Sequence, residues 1–172
     1  KKMKVSDRCH VILPYHLYID EILEKRRGEH SIGTTKKGIG PAYVDKYNRH
    51  GIRMGEFIDE ELFLERLQES FSMKVQEYPE LQDMFTVESI YEEYKEYAKR
   101  IKPLVCDTGL LLDEYLREDK KVLFEGAQGA MLDIDYGTYP YVTSSHPGAN
   151  GVSEGTGIGP LYIKESIGII KA

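Results

Sequence analysis

Apolar residues recur along this chain at two different periods, and the changes of period outline its elements. From Asp59 onward, Leu62, Phe63, Leu67, Phe71 and Val75 return at three- and four-residue steps. That spacing puts them on one face of a helix that the Asp59 carboxylate can cap, with Pro79 beyond its end. A second helical pattern starts near Thr86 and carries Ile90, Tyr94, Ala98, Ile101, Val105 and Leu112. Pro103 lacks an amide N–H and is expected to kink or divide it. Tyr91, Tyr94 and Tyr97 share this spacing and read as packing on a helix face. Upstream, Pro14 to Arg27 reads as a helix with Pro in its first turn, Lys25, Arg26 and Arg27 in its last, and Gly28 after its end. Pro41 to about His50 reads as a short helix, again with Pro at its first position. The runs Val5 to Leu13, Val122 to Phe124 and Ile167 to Ile170 read as strands. Gly33 to Gly40 reads as loop; after the run ending at Phe124 come a small-residue turn, a short helix, and loop-rich sequence from Gly137 to Gly159. Strands alternating with helices predict an α/β architecture with parallel pairing.

Composition narrows the class without naming a function. With 172 residues and 41% hydrophobic content the chain can bury a real core. A net charge of −6 with 30% charged residues is that of an ordinary acidic protein. No apolar run approaches the ~20 residues that span a bilayer, and no signal-peptide pattern opens the chain. Cys9 and Cys106 have no ligand-like neighbours and read as reduced and structural, as in a cytoplasmic protein. The chain opens on Lys1-Lys2 before Met3 and stops inside the apolar run that ends at Ala172, so it is expected to be an internal piece of a longer protein.

Charge becomes informative locally. Between Lys36 and Arg53 stand five cations (Lys36, Lys37, Lys46, Arg49, Arg53) against one acid, Asp45. Such a reversal inside an acidic chain suits an anionic small molecule that the surrounding field would otherwise repel. On a helix starting at Pro41, Lys46 and Arg49 would share a face. A solvated basic surface explains the same cations, but adjacent glycines and the hydroxyls of Thr34 and Thr35 favour a phosphate site. The acidic total argues against nucleic acid. Gly33 to Gly38 begins like a phosphate loop for nucleoside triphosphates and then fails, because Ile39-Gly40 stands where Lys-Ser/Thr should follow. Gly155 to Gly159 reads as a backbone turn.

The strongest single signal is Glu125-Gly126-Ala127-Gln128-Gly129-Ala130, a turn of small residues after the run ending at Phe124. Its glycines let a ligand approach the backbone amides. Gln128 is the one side chain there that can donate and accept hydrogen bonds toward a base edge or a phosphoryl oxygen. The turn reads as a substrate pocket rather than an energy-donor pocket. His10, His16, His30, His50 and His146 are scattered without metal-ligand spacing. Asp133 and Asp135 could form an acid/base or metal pair, although capping or loop hydrogen bonding is the more frequent role.

The strings FEGAQGAMLDIDYGTYPYVTSS and GTTKKGIGPAYVDKYNRHGIR, and more loosely GANGVSEGTGIGP, resemble the middle of adenylosuccinate synthetase. The resemblance runs from about Ser6 to Ala172. It implies a GTP-dependent ligase that joins L-aspartate to IMP in purine (AMP) biosynthesis, with Mg²⁺. The family's GDEGKGK-type loop with its catalytic Asp, the Gly-His-Gly segment with its catalytic His, the arginine loop and the Thr-Lys-x-Asp guanine motif do not occur in this sequence. No catalytic residue or metal ligand is therefore assigned here. The resemblance implies that Thr35 and Thr143 contact the IMP phosphate, that Gln128 lies near the base and its transferred phosphoryl group, and that Arg49 reaches IMP in the neighbouring subunit of a homodimer. Lys36-Lys37 stand where the family commonly has Gly-Arg, and Lys37 cannot make Arg's bidentate contact.

The expected fold is α/β: part of a mostly parallel sheet with an associated helical subdomain. Residues 1–58 would supply a sheet portion with the phosphate and dimer loop, 59–117 the helical subdomain, and 118–172 a sheet portion with substrate loops. The ligands of GTP and Mg²⁺ would lie largely outside this stretch, and the isolated chain is expected to be inactive. Two other readings stay open: a non-catalytic anion-binding or interaction domain, and a purely structural piece.

Overall fold

The structure, a computed structural model, describes residues 3–28 and 33–170. His30 of the metal reading lies outside the described residues. The chain separates into two compact units, Lys1–Asp107 and Thr108–Ala172.

The first unit is mainly helical: α1 (Pro14–Arg27), α2 (Ile39–Asn48), α3 (Met54–Phe57), α4 (Glu60–Glu77), α5 (Leu81–Met84) and α6 (Val87–Ile101). A short parallel pair accompanies them, β1 (Val5–Ser6) with β2 (Val105–Cys106), Val5 opposite Val105. The α/β class is as expected. Local chemistry sets the helix ends. The Asp59 carboxylate accepts the Leu62 amide at 3.0 Å, and Thr86 and Ser89 cap each other reciprocally at 3.1 Å. Gly28 closes α1 with a positive φ of 54°.

The core gathers Leu13, Tyr15 and Ile19 at the start of α1, Ile52 and Phe57, and Phe63 and Leu67 of α4. Phe57 meets Phe63 edge-on with ring centroids 4.9 Å apart. Tyr91 and Tyr94 pack against this cluster, whereas Tyr97 is exposed and gives its hydroxyl to Glu93.

Four element expectations need correction. The strand predicted from Val5 to Leu13 stops at Ser6. Beyond it the backbone serves other partners: the Val11 amide goes to Ile52 O, and the Leu13 amide to the His16 ring. The second helical pattern is divided at Pro103, one of the two outcomes expected there, but Val105 leaves the helix altogether. After Ile101 a 3₁₀ turn (Lys102–Leu104) contains Pro103, and Val105 then enters β2. Pro103 has no N–H to continue the α-helical ladder. Helix α2 starts at Ile39, so Pro41 is its third residue, where an amide has no intrahelical partner in any case. The runs Val122 to Phe124 and Ile167 to Ile170 are not strands among the described residues. Leu123 is 84% exposed and Ile169 94%; apolar content does not make a strand without a neighbour to complete its hydrogen bonds.

The second unit holds α7 (Thr108–Arg117), α8 (Gly151–Thr156), two 3₁₀ turns (Ala130–Leu132 and Pro160–Tyr162) and long loops. Asp133 organises these loops. Its carboxylate, 3% exposed as a residue, accepts the amides of Asp135 and Tyr136 at 3.0 Å each and the Asn150 side chain at 3.0 Å. His146 Nδ1 lies 3.2 Å away. Loop hydrogen bonding is thus its role here. Glycines let the backbone close in: a Cβ on Gly137 would collide with the carbonyl oxygens of Met131 and Asp133, and one on Gly151 with that of His146. Burial alone would push the Asp133 carboxyl up, but the bonds from Asn150, Tyr136, Asp135 and His146 outweigh it and hold the group well below its ordinary range.

A depressed native pKa stabilises the fold above the ordinary carboxylate value and loses that contribution as pH falls through the native one. A carbon-13 carboxyl titration is therefore expected to find Asp133 still ionised at about pH 3, below the ~3.9 of an unperturbed aspartate. A midpoint at or above the ordinary value would show that its hydrogen bonds do not outweigh burial.

Candidate functional site

In the first unit the candidate phosphate loop is pinned by one face of α1. His16, Asp20 and Glu24 follow at four-residue steps, so they stack along the same side of the helix. His16 Nε2 lies 2.9 Å from Asp45 Oδ2 in α2. Asp20 accepts the Gly38 amide at 3.0 Å, and Glu24 accepts the Gly33 amide at 2.6 Å and more weakly that of Thr34 at 3.4 Å. Three residues of this loop have left-handed backbones: Gly33 (φ 76°), Lys36 (φ 55°) and Gly38 (φ 73°). Gly38 is doubly constrained, because a Cβ there would sit 2.9 Å from the His16 carbonyl carbon and the Leu17 backbone nitrogen. The result is a loop held from beneath that presents Thr35, Lys36 and Lys37 exposed. The Thr34 hydroxyl is buried and has no hydrogen-bond partner among the described residues.

The basic segment continues through α2. Lys46 Nζ lies over the rings of Tyr43 and Tyr47, at 5.3 and 5.2 Å from their centroids. Arg49 follows the helix in a left-handed conformation (φ 66°) and is exposed. It therefore does not share a helical face with Lys46, as its spacing had suggested, because the helix has ended. The one acid of the segment is withdrawn from the surface. Asp45 is 1% exposed and pairs with Lys74 Nζ of α4 at 2.6 Å as well as with His16. Burial alone would raise its carboxyl, but the bonds from His16 and Lys74 hold it low. The Lys74 ammonium is disfavoured by burial yet raised by Asp45 and Glu77. With Asp45 neutralised internally, Lys36, Lys37, Arg49 and Arg53 give the exposed surface of this segment a positive field.

In the second unit the small-residue turn adopts a conformation only its sequence permits. A Cβ on Gly126 would collide with the Pro147 carbonyl oxygen, and Gln128 itself is left-handed (φ 74°). A non-glycine residue held there carries local strain, a common property of ligand-binding turns. The Gln128 carboxamide is fixed at both ends. Its Nε2 donates to Thr143 Oγ1 at 3.2 Å, and its Oε1 accepts from Ser145 Oγ at 3.2 Å. Thr143 and Ser145 are 3.5 Å apart, oxygen to oxygen. The backbone holds this arrangement in register, with the Thr143 amide on Leu132 O at 2.8 Å and the Ile134 amide on Ser145 O at 3.2 Å.

Of the four site residues read from sequence, Gln128 and Thr143 are thus in contact, while Thr35 and Arg49 belong to the first unit and stand on its exposed basic segment. Ser145 was passed over. Its signal lay in the motif itself, since it stands two residues after Thr143, as same-side neighbours on extended backbone do. The anchoring set of His16, Asp20, Glu24 and Lys74 was also passed over, although polar residues at helical spacing inside α1 pointed to it. Among the described residues no group of three or more His, Cys, Asp or Glu is arranged to hold a metal ion, and no helix is long and apolar enough to cross a membrane.

Comparison with known proteins gives one consistent result. The family model described as adenylosuccinate synthetase matches residues 1–172. The chain is 53% identical over 172 residues to the adenylosuccinate synthetase of Bacillus cytotoxicus, covering 99% of this chain and 40% of that protein. It is 51% identical to that of Caldanaerobacter subterraneus subsp. tengcongensis with the same coverage. The solved structure of fully ligated adenylosuccinate synthetase from Plasmodium falciparum matches with a TM-score of 0.81 at 36% identity, over 92% of this chain and 38% of the other. The chain thus spans about 40% of the length of the curated relatives it matches, and it belongs to the adenylosuccinate synthetase family.

Proposed function

We propose that this chain is the IMP-binding central portion of an enzyme that ligates L-aspartate to IMP with GTP, a carbon–nitrogen ligase of purine biosynthesis in the cytoplasm. The observation that supports it best is the bond between Gln128 and Thr143, fifteen residues apart in one family-like string, at 3.2 Å. Two residues expected to meet the same nucleotide are hydrogen-bonded to each other.

In this reading GTP phosphorylates the oxygen at position 6 of IMP, and the aspartate amine then displaces phosphate. The chain's own groups bind and orient. Thr35 and Thr143 hydroxyls meet the 5′-phosphate, and Arg49 reaches the IMP of a neighbouring subunit. The orientation of Gln128 matters. Thr143 takes one Nε2 proton and the Ser145 hydroxyl one lone pair of Oε1, so the carboxamide keeps a second N–H and a second lone pair for a ligand. A donor suits the position-6 oxygen as it takes on phosphoryl charge. Mg²⁺ would assist the phosphoryl transfer when bound. In this reading the groups that hold Mg²⁺ and GTP lie largely outside this stretch.

Two outcomes follow. The isolated chain, incubated with GTP, Mg²⁺, IMP and aspartate, forms no adenylosuccinate above an enzyme-free control; accumulation would overturn the assignment of catalytic groups elsewhere. In the full-length protein, Gln128→Met lowers kcat about ten-fold or more while the KM for IMP changes less, the pattern of an interaction that strengthens in the transition state. A ten-fold loss corresponds to about 1.4 kcal/mol. If instead the variant loses thermal stability while kcat stays near normal, Gln128 only braces its turn.

A further inference from the structure

The polar residues buried on α4 have no part in the reading above, yet they converge on Arg49. Along the inward face of this helix Phe63 and Leu67 are apolar, but Ser70 and Lys74 are not, and they are only 1% and 4% exposed. They stand one turn apart and so face the same way. The Ser70 hydroxyl donates to the carbonyl of His50, the residue after Arg49. The Lys74 ammonium pairs with the Asp45 carboxylate at 2.6 Å and with Glu77 at 3.1 Å. The backbone of Asp45 completes the grip, since its carbonyl accepts the amides of His50 at 2.9 Å and Gly51 at 3.0 Å, while the Arg49 amide goes to Lys46 O at 3.1 Å. Arg49 is thus left-handed between two fixed points, one on each side.

Burying a hydroxyl and an ammonium in a helix face is a poor way to gain stability, because an apolar face of the same volume would do as well or better. What these groups supply is geometry. A side chain as long as arginine magnifies any backbone rotation at its tip, and a displacement of about 1 Å in a charged contact can cost orders of magnitude in function. We infer that Ser70 and Lys74 are positioning residues for Arg49, fixing the turn from which its guanidinium reaches the IMP of a neighbouring subunit. The inference rests on the proposed role of Arg49.

The test is a double-mutant cycle in the full-length enzyme, with Arg49→Leu, Ser70→Ala and the pair, reading the KM for IMP and for GTP separately. Ser70→Ala is chosen because it removes one hydrogen bond without stranding a buried charge. Expected is a rise in the KM for IMP of about three-fold or more with the KM for GTP unchanged, and no further rise when Ser70→Ala is added to Arg49→Leu, since coupled sites are non-additive. An equal factor in both backgrounds, or an unchanged KM for IMP, would overturn the positioning role. If Arg49→Leu alone leaves the KM for IMP unchanged, the proposed role of Arg49 itself fails, an outcome visible before Ser70 is considered.

Discussion

A buried carboxylate sits at the junction on which the first unit depends. Asp45 is almost fully enclosed, between His16 of α1 and Lys74 of α4. An ion taken out of water is tolerable only when its lone pairs are fully engaged. Here each carboxylate oxygen has one partner, His16 on Oδ2 and the Lys74 ammonium on Oδ1. The Leu13 amide donates to His16 Nδ1 at 2.9 Å, so the imidazole carries its proton on Nε2 and gives it to Asp45. One oxygen therefore reads α1 and the other reads α4. Three helices cannot slide past one another without stranding a charge, which fixes their relative positions more narrowly than apolar packing alone.

The consequences reach both ends of the basic segment. At its start, the same face of α1 that carries His16 also holds the Gly33 and Gly38 amides through Glu24 and Asp20. At its end, the Asp45 carbonyl gathers the turn that carries Arg49. The second unit uses the same device. Asp133, enclosed and satisfied by two backbone amides and Asn150, orders loops that contain little regular structure. Thr143 and Ser145 bond to the backbone on either side of it, at Leu132 and Ile134, and present their hydroxyls to Gln128.

Much of this was legible in the residues. The ends of α1, α4 and α6 follow from Pro14 and Gly28, Asp59, and Thr86 with Pro103, because caps and breakers act locally. The small-residue turn around Gln128 announced itself for the same reason. What could not be read is what depends on partners far along the chain. Val105 looked helical by spacing and became a strand because Val5 lies beside it. Val122 to Phe124 and Ile167 to Ile170 have strand composition without a ladder among the described residues. Arg49 lost its expected face because three backbone amides fold back at the end of α2. Asp45 looked like one more charge in a basic segment; only the fold shows that Lys74 cancels it and leaves the neighbouring cations to set the surface potential.

The central claim is that the Asp45 charge locks α1, α2 and α4 together, and its removal tests that most directly. Asp45→Asn keeps the shape but leaves the buried Lys74 with only the exposed Glu77 as counter-charge. Equilibrium urea unfolding followed by far-UV circular dichroism should show a loss of about 3–5 kcal/mol, the scale for breaking a buried ion pair from one side. A loss below about 1 kcal/mol would place this pair among ordinary surface contacts and contradict the account.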